Sequence, residues 1–256
     1  MKTLLIICIT IAVSSSLAFA QNNDATTSQD GDQNMVSVSQ VGKGLEASVV
    51  QIGNNNQADV DQHGLIHEAM IRQAGDHNQA SIDHSQTWTR RFDTEIIQTG
   101  SHNQSVSIAH NQGTYNAVAR AVSRITQTGD WNEASQLLVV GASGPRIDAV
   151  IEQSGDRNYA MQEGLNVRNR VYLTIVQEGS DNQAAQLSGH RNVVAETYQT
   201  GDFNEAMTFQ EGYVLEAIIT QNGSMNDASV SQTGDFHSAS VIQTGTGNIS
   251  SISQSY

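Results

Sequence analysis

The sequence predicts an all-β fold: a β-solenoid of about ten two-stranded rungs with cross-β, amyloid-like stacking. Three observations predict it. A short pattern, Q-x-G-x-x-N, recurs ten times with a basic period of 22 residues. Between its copies, small or β-branched residues alternate with polar ones at period two, the pattern of half-buried strands. The composition is 38% hydrophobic and 5% aromatic, with 21 Gly and 1 Pro. That is too little bulky apolar matter for one thick core, and the apolar residues are too regularly placed for a disordered chain.

The first element is not part of the fold. Residues 1–20 read as a secretory signal peptide: Lys2, an apolar stretch from Leu4 to Val13 interrupted by Thr10, then Ala18-Phe19-Ala20 as the cleavage site. The stretch is well short of the roughly 20 residues that span a bilayer, so no membrane span is expected after its removal. Cleavage near Gln21 takes away Cys8, the only cysteine, and Lys2, and moves the net charge from −14 to −15. The exported chain then has no disulfide to stabilise it. Its acidity disfavours nucleic acid as a partner, because phosphate binding needs a basic face. Residues 21–28 (QNNDATTS) are expected to be a short N-terminal leader and residues 29–256 the solenoid.

Each repeat opens on a glutamine: Gln29, Gln51, Gln73, Gln98, Gln127, Gln153, Gln177, Gln199, Gln221 and Gln243. Two residues on stands a turn glycine: Gly31, Gly53, Gly75, Gly100, Gly129, Gly155, Gly179, Gly201, Gly223 and Gly245. Five residues on stands an asparagine: Asn34, Asn56, Asn78, Asn103, Asn132, Asn158, Asn182, Asn204, Asn226 and Asn248. Successive spacings are 22, 22, 25, 29, 26, 24, 22, 22 and 22, so insertions are confined to the middle of the chain. A second, weaker half follows eleven residues later, with Gln40, Gln62, Gln210, Gln232 and Gln254, and His84 once. In it the asparagine is replaced by Leu45, His67, Leu215 or His237.

A strand and a short turn, twice in every 22 residues, make one coil of a solenoid, with neighbouring coils about 4.8 Å apart. Equivalent residues then lie above one another. Stacked Gln and Asn form ladders in which each amide donates to one neighbour and accepts from the next, so polar side chains can be buried without loss. The glutamines and asparagines above are the expected structural ladder. The glycines permit the backbone angles of the tight turns.

These motifs resemble the curlin repeat, S-x5-Q-x-G-x-x-N-x-A-x3-Q, most closely at 45–62 (LEASVVQIGNNNQADVDQ) and 193–210 (VVAETYQTGDFNEAMTFQ). The leading serine is replaced, by Leu45 in one repeat and His237 in another. The resemblance covers nearly all of 29–256. It implies a structural, non-enzymatic subunit of curli, the functional amyloid of bacterial biofilms. Such a subunit passes through the periplasm, leaves through a curli secretion channel with its accessory proteins, and polymerises at the cell surface with itself and the other curlin subunit. No cofactor is implied. Major fibre subunit and minor, nucleating subunit both stay open.

Other readings are weaker. Asp follows the turn glycine at Asp32, Asp76, Asp130, Asp156, Asp202 and Asp235. One carboxylate per coil is a poor calcium cage, and solvated turn carboxylates are the simpler account. Asp130, Asp156 and Asp202 are candidate gatekeepers, whose stacked like charges would slow assembly. The insertions carry Trp88, Arg90, Arg91 and Phe92, and a Gly141-to-Arg146 loop with the sole proline. They are read as tolerated loops, with partner binding as the alternative. His67, His84 and His237 fall at inward places. A polysaccharide-cleaving β-helix enzyme would need clustered carboxylates beside a groove, and the acids are scattered or confined to turns. A monomeric, exported binding rod or adhesin is the remaining rival.

Overall fold

A computed structural model describes residues 22–111, 120–141, 146–167 and 169–256. The expected signal peptide and the 142–145 part of the proline loop lie outside these. Seventeen strands and no helix make up the described chain. One face of the rod is built from β1 (Asp24–Asp30), β3 (Glu46–Ile52), β5 (Glu68–Ala74), β7 (Phe92–Thr99), β9 (Arg120–Thr128), β11 (Arg146–Ser154) and β13 (Arg170–Glu178). The other is built from β2 (Met35–Lys43), β4 (Gln57–Leu65), β6 (Gln79–Arg90), β8 (Gln104–Asn111), β10 (Glu133–Val140) and β12 (Tyr159–Val167). The long strands β14 (Gln183–Thr200), β15 (Glu205–Ser224) and β16 (Asp227–Thr246) run along the second face and bend onto the first, and β17 (Ile249–Ser255) ends the second.

Every pairing is parallel and joins each strand to the one a full coil away: β1 to β3, β2 to β4, β3 to β5, and onward. Gln153 pairs with Gln177, and Gln177 with Gln199, residue on residue. The fold is therefore a β-solenoid of about ten coils, numbered here as rungs 1 to 10 by their opening glutamines. Period-two alternation explains its thin core. In β11 the residues Ile147, Ala149, Ile151 and Gln153 point inward and Asp148, Val150 and Glu152 do not. Ala, Val and Ile from the two faces meet across the axis in one continuous cluster that includes Val49, Ile71, Ile96, Ile125, Ile151 and Ile175. In a parallel stack each residue packs mainly on its own counterpart, so small, repeated side chains fill the space.

The solenoid begins earlier than the motif suggests. Asp24 to Asp30 already form β1, paired with Glu46 to Ile52, so the expected 21–28 leader lies largely inside the first coil. The glutamine is the sixth residue of that strand, and the strand starts before the recognisable pattern does.

Candidate functional site: the amide columns and the two edges

The glutamine column is continuous and runs in one direction. Gln29 Nε2 donates to Gln51 Oε1 at 2.8 Å, and each later glutamine repeats the bond to the next: Gln51 to Gln73, Gln73 to Gln98, Gln98 to Gln127 and Gln127 to Gln153. It continues from Gln153 through Gln177, Gln199 and Gln221 to Gln243 at 2.8–2.9 Å. From Gln51 on, the second amide hydrogen reaches a carbonyl on the opposite strand, as from Gln177 to Tyr159 at 3.0 Å. Gln177 is fully buried, and both its amide hydrogens and its oxygen are engaged. This is how a core so polar avoids the cost of unpaired buried groups.

The asparagine column runs the opposite way. Asn158 donates both its backbone N–H (3.0 Å) and Nδ2 (3.1 Å) to Oδ1 of Asn132, one rung back. The same Nδ2 reaches forward to the Gly179 carbonyl at 2.8 Å. The pattern holds from Asn34 to Asn248. The glycine is fixed by the same stack. Gly155 has φ of 112°, and a Cβ there would lie 2.1 Å from the Gly179 carbonyl oxygen.

The turn aspartates do more than carry charge. Asp130 Oδ1 accepts the Ser101 amide at 2.7 Å, Asp156 Oδ1 the Asp130 amide at 2.9 Å, and Asp202 Oδ1 the Ser180 amide at 2.8 Å. Each caps the turn one rung behind it. Sequence reasoning also missed the residue before each asparagine. It is left-handed in every rung, with φ of 55–62° from Gln33 to Met225, and only the last, Gly247, is glycine. At rungs 3 to 5 this outer place holds a stack of rings: His77 on His102 at 4.8 Å and His102 on Trp131 at 4.1 Å, within 9° of parallel. The Asn, Asp and Gly among these residues were the available signal, since they tolerate that conformation.

The opposite edge is less regular. The second glutamine column falls into three pieces. Gln40 bonds Gln62, and Gln210 bonds Gln232, which bonds Gln254. Between them Gln136, Gln162 and Gln186 form their own ladder. They stand two residues nearer the motif turn, because Gln136 shares a column with Ser107, and Ser107 with Ile82. Leu138, Ile147, Val171 and Leu173 fill the vacated space as one apolar cluster with Phe92. Neither the shift nor the cluster was legible from the eleven-residue half-repeat.

At the break lie His67 and His84, both fully buried; His237 is only partly so. His67 stacks on Phe92 at 5.0 Å and meets His84 edge-on at 5.4 Å. His67 Nδ1 accepts the Phe92 amide, and His84 Nε2 bonds Thr94 Oγ1 at 2.8 Å. His67 Nε2 and His84 Nδ1 have no partner among the described residues. Burial lowers the His67 pKa to about 4, against weaker upward pulls from the His63 carbonyl and Asp93. Burial, with His67 as a cationic neighbour, lowers that of His84 to about 3.

The acids are not scattered in space. Asp24, Glu46, Glu68 and Asp93 stack on consecutive rungs of the first face, beside a groove of about 350 Å³. Spacings of 22, 22 and 25 residues hid this rank.

Together these features define a class: a β-solenoid whose repeats are welded along the axis by buried side-chain amides. The curlin-associated repeat family matches the chain at residues 20–53, 53–83, 201–234 and 226–255. This is a curlin-repeat protein. No curated protein matches it. The matched segments are the terminal rungs, and the unmatched middle is where the second column shifts and the insertions fall.

Proposed function

We propose that this protein is a structural subunit of extracellular curli-type fibres, exported through the periplasm and polymerised at the cell surface by end-to-end stacking. One observation carries the reading: the two amide columns are unbroken and directional, so the rod's two ends are complementary. At the rung-10 end Gln243 Nε2 turns to the carbonyls of Asp227 and Asn248, and Asn248 Nδ2 to the carbonyl of Thr244. At the rung-1 end Asn34 Nδ2 turns back to the Asp30 carbonyl. In a second copy continuing the stack, Gln243 would donate to Gln29 Oε1, and Asn34 would donate to Asn248 Oδ1. The free backbone edges would pair in the same step, the end of β16 with β1 and β17 with β2 of the next copy. The exported chain begins near Gln21, its partners are itself, the other curlin subunit and the secretion apparatus, and its role is structural rather than enzymatic.

The test is the chain from Gln21 onward, followed by thioflavin fluorescence and electron microscopy after removal of denaturant. Fibres that seed fresh monomer are expected. A soluble monomer, stable over days at high concentration, would favour the binding-rod reading instead. A minor, nucleating role is the second reading, favoured by the irregular middle rungs. Deletion in the producing cell separates the two: loss of all fibre mass marks the major subunit, and a secreted but unpolymerised second subunit marks the nucleator.

A further inference from the structure

All of the insertions open at the edge opposite the motif turns. They fall between β6 and β7, β8 and β9, β10 and β11, and β12 and β13. Each of these four first-face strands is led by an arginine: Arg91 immediately before β7, then Arg120, Arg146 and Arg170 at the starts of β9, β11 and β13. Arg120 pairs in register with Arg146, and Arg146 with Arg170. On the next rung Arg191 stands at the same edge, one residue ahead of the place in register with Arg170, because Val171 pairs with Val193. Arg120, Arg146, Arg170 and Arg191 are all exposed. The first face therefore carries two charge ladders at that edge, set two residues apart along the strands, since Asp93 pairs with Val122 and Arg120 precedes it by two. Rungs 1 to 4 present Asp24, Glu46, Glu68 and Asp93, and rungs 5 to 8 present the four arginines.

The seam between them is already paired within the chain. Arg91 lies 2.8 Å from Asp93 and 3.1 Å from Glu68, and Arg120 lies 3.2 Å from Asp93. Arg146 holds Asp148 at 2.8 Å. Towards the outer ends the pairing stops: Asp24, Glu46, Arg170 and Arg191 make no ion pair among the described residues. Stacking like charges at the rung spacing of about 4.8 Å is unfavourable unless opposite charge faces them.

We infer that this face is a side-to-side contact between two copies of the chain, related by a two-fold axis so that the rods run antiparallel. Rung 1 then faces rung 8, rung 2 faces rung 7, rung 3 faces rung 6 and rung 4 faces rung 5. Asp24 meets Arg191, Glu46 meets Arg170, Glu68 meets Arg146 and Asp93 meets Arg120, each pairing occurring twice, as an isologous contact requires. Both ladders have the same spacing because both are the same rod, so the four pairings recur at one interval, and the one acid on the arginine rungs in the acid column, Asp148, stays neutralised by Arg146. A parallel, unstaggered pair would set acid on acid, and a parallel pair shifted by four rungs would satisfy only one ladder of each copy. The groove beside the acids gives the partner's arginines a concave seat. This contact is lateral and does not depend on end-to-end stacking. In a fibre it would join neighbouring filaments.

Two charge-reversed chains test it: one with Arg120→Glu, Arg146→Glu and Arg170→Glu, the other with Asp24→Lys, Glu46→Lys and Glu68→Lys. Sedimentation velocity reads pairing of freshly prepared soluble chain, and filament width reads it after polymerisation. Circular dichroism checks that the strands persist. The native chain is expected to pair at low salt. Its pairing should weaken at least about tenfold near 0.5 M salt, where screening reaches only a few ångström. Each variant alone should stay single, and an equimolar mixture should pair again. A native chain that is single at every salt concentration overturns the inference. So does a folded arginine variant that pairs like the native chain, or a mixture that fails to recover. Retention on immobilised polygalacturonate without self-pairing would assign the arginine ladder to a polyanion and equally end the proposal.

Discussion

The two edges of the rod are made by the same chain in the same coils, yet they tolerate change very differently. At the motif edge Q-x-G-x-x-N survives in all ten rungs with no insertion. At the opposite edge the asparagine has become Leu or His, glutamines have moved by two places, and loops have grown. The difference lies in what each side chain is bonded to. An asparagine such as Asn158 ties three rungs together, through Asn132 behind and Gly179 ahead, so changing one breaks bonds in both directions. At the opposite edge the same inward place is filled by Leu45, Phe92, Ile147 or Leu215, which need only volume. Register is set at one edge, and variation accumulates at the other.

Glycines of rung 6 offer the sharpest way to break this contrast. Gly155→Ala at the motif edge places a Cβ against the Gly179 carbonyl at a left-handed φ. It is expected to cost about 3 kcal/mol or more. Gly164→Ala on the other side meets only the ends of Ile147, Leu138 and Leu173 at 3.7 Å, and should change stability by no more than about 0.5 kcal/mol. Urea midpoints compare the two. Equal effects would remove the distinction between the edges.

A smaller loss is expected from Gln177→Leu. It leaves Gln153 Nε2 and Gln199 Oε1 without their ladder partners inside the core, costing about 2–3 kcal/mol. His84→Gln should go the other way. It gives Gln62 an amide partner on the next rung and removes the unpartnered Nδ1, at the loss of the bond to Thr94, with a net gain of about 1 kcal/mol. A destabilised His84→Gln would show that the histidine pair is itself a packing requirement.

The same histidines make the opposite edge acid-sensitive. Their folded pKa values, about 4 for His67 and about 3 for His84, lie below the ordinary 6.5. Between those limits the unfolded chain binds more protons than the folded one, so stability rises with pH. The contribution of neutral burial is complete above about pH 6.5 and drains away as the pH falls towards 3. Midpoints at pH 7.5 and 4.5 should therefore differ more for the native chain than for a His67→Asn, His84→Gln variant. An unchanged difference would place the acid lability elsewhere.

The smallest effect concerns the turn aspartates. Asp130→Asn, Asp156→Asn and Asp202→Asn each keep an Oδ1 to accept the turn amide of the rung behind, so stability should move by less than about 0.5 kcal/mol. If stacked charge slows assembly, the polymerisation lag shortens. A lag identical to that of the native chain would leave these residues as caps alone.

Much of this molecule could be read from its letters because a parallel stack converts sequence period directly into space. Gln29 to Gln243 form one column for the simple reason that each occurs once per coil at the same place. The inward places of Ala58, Val60 and Ile71 follow from alternation. What alternation cannot give is the content of irregular coils. Gln136, Gln162 and Gln186 stand off the eleven-residue count, and Phe92 lies beyond an insertion, so their places depend on how the middle coils repacked. The start of β1 at Asp24 was hidden because the strand begins ahead of its motif.

The sequence by itself determined the coil, its length and the two amide columns, since identical residues at a fixed period stack on themselves. Only the tertiary structure decided which surface residues become neighbours. Asp24, Glu46, Glu68 and Asp93, or Arg120, Arg146 and Arg170, are far apart in the chain and a single strand spacing apart in the rod. The physical reason is that outward side chains bear none of the packing that enforces a repeat, so their pattern emerges only once the coils have fixed the distances between them.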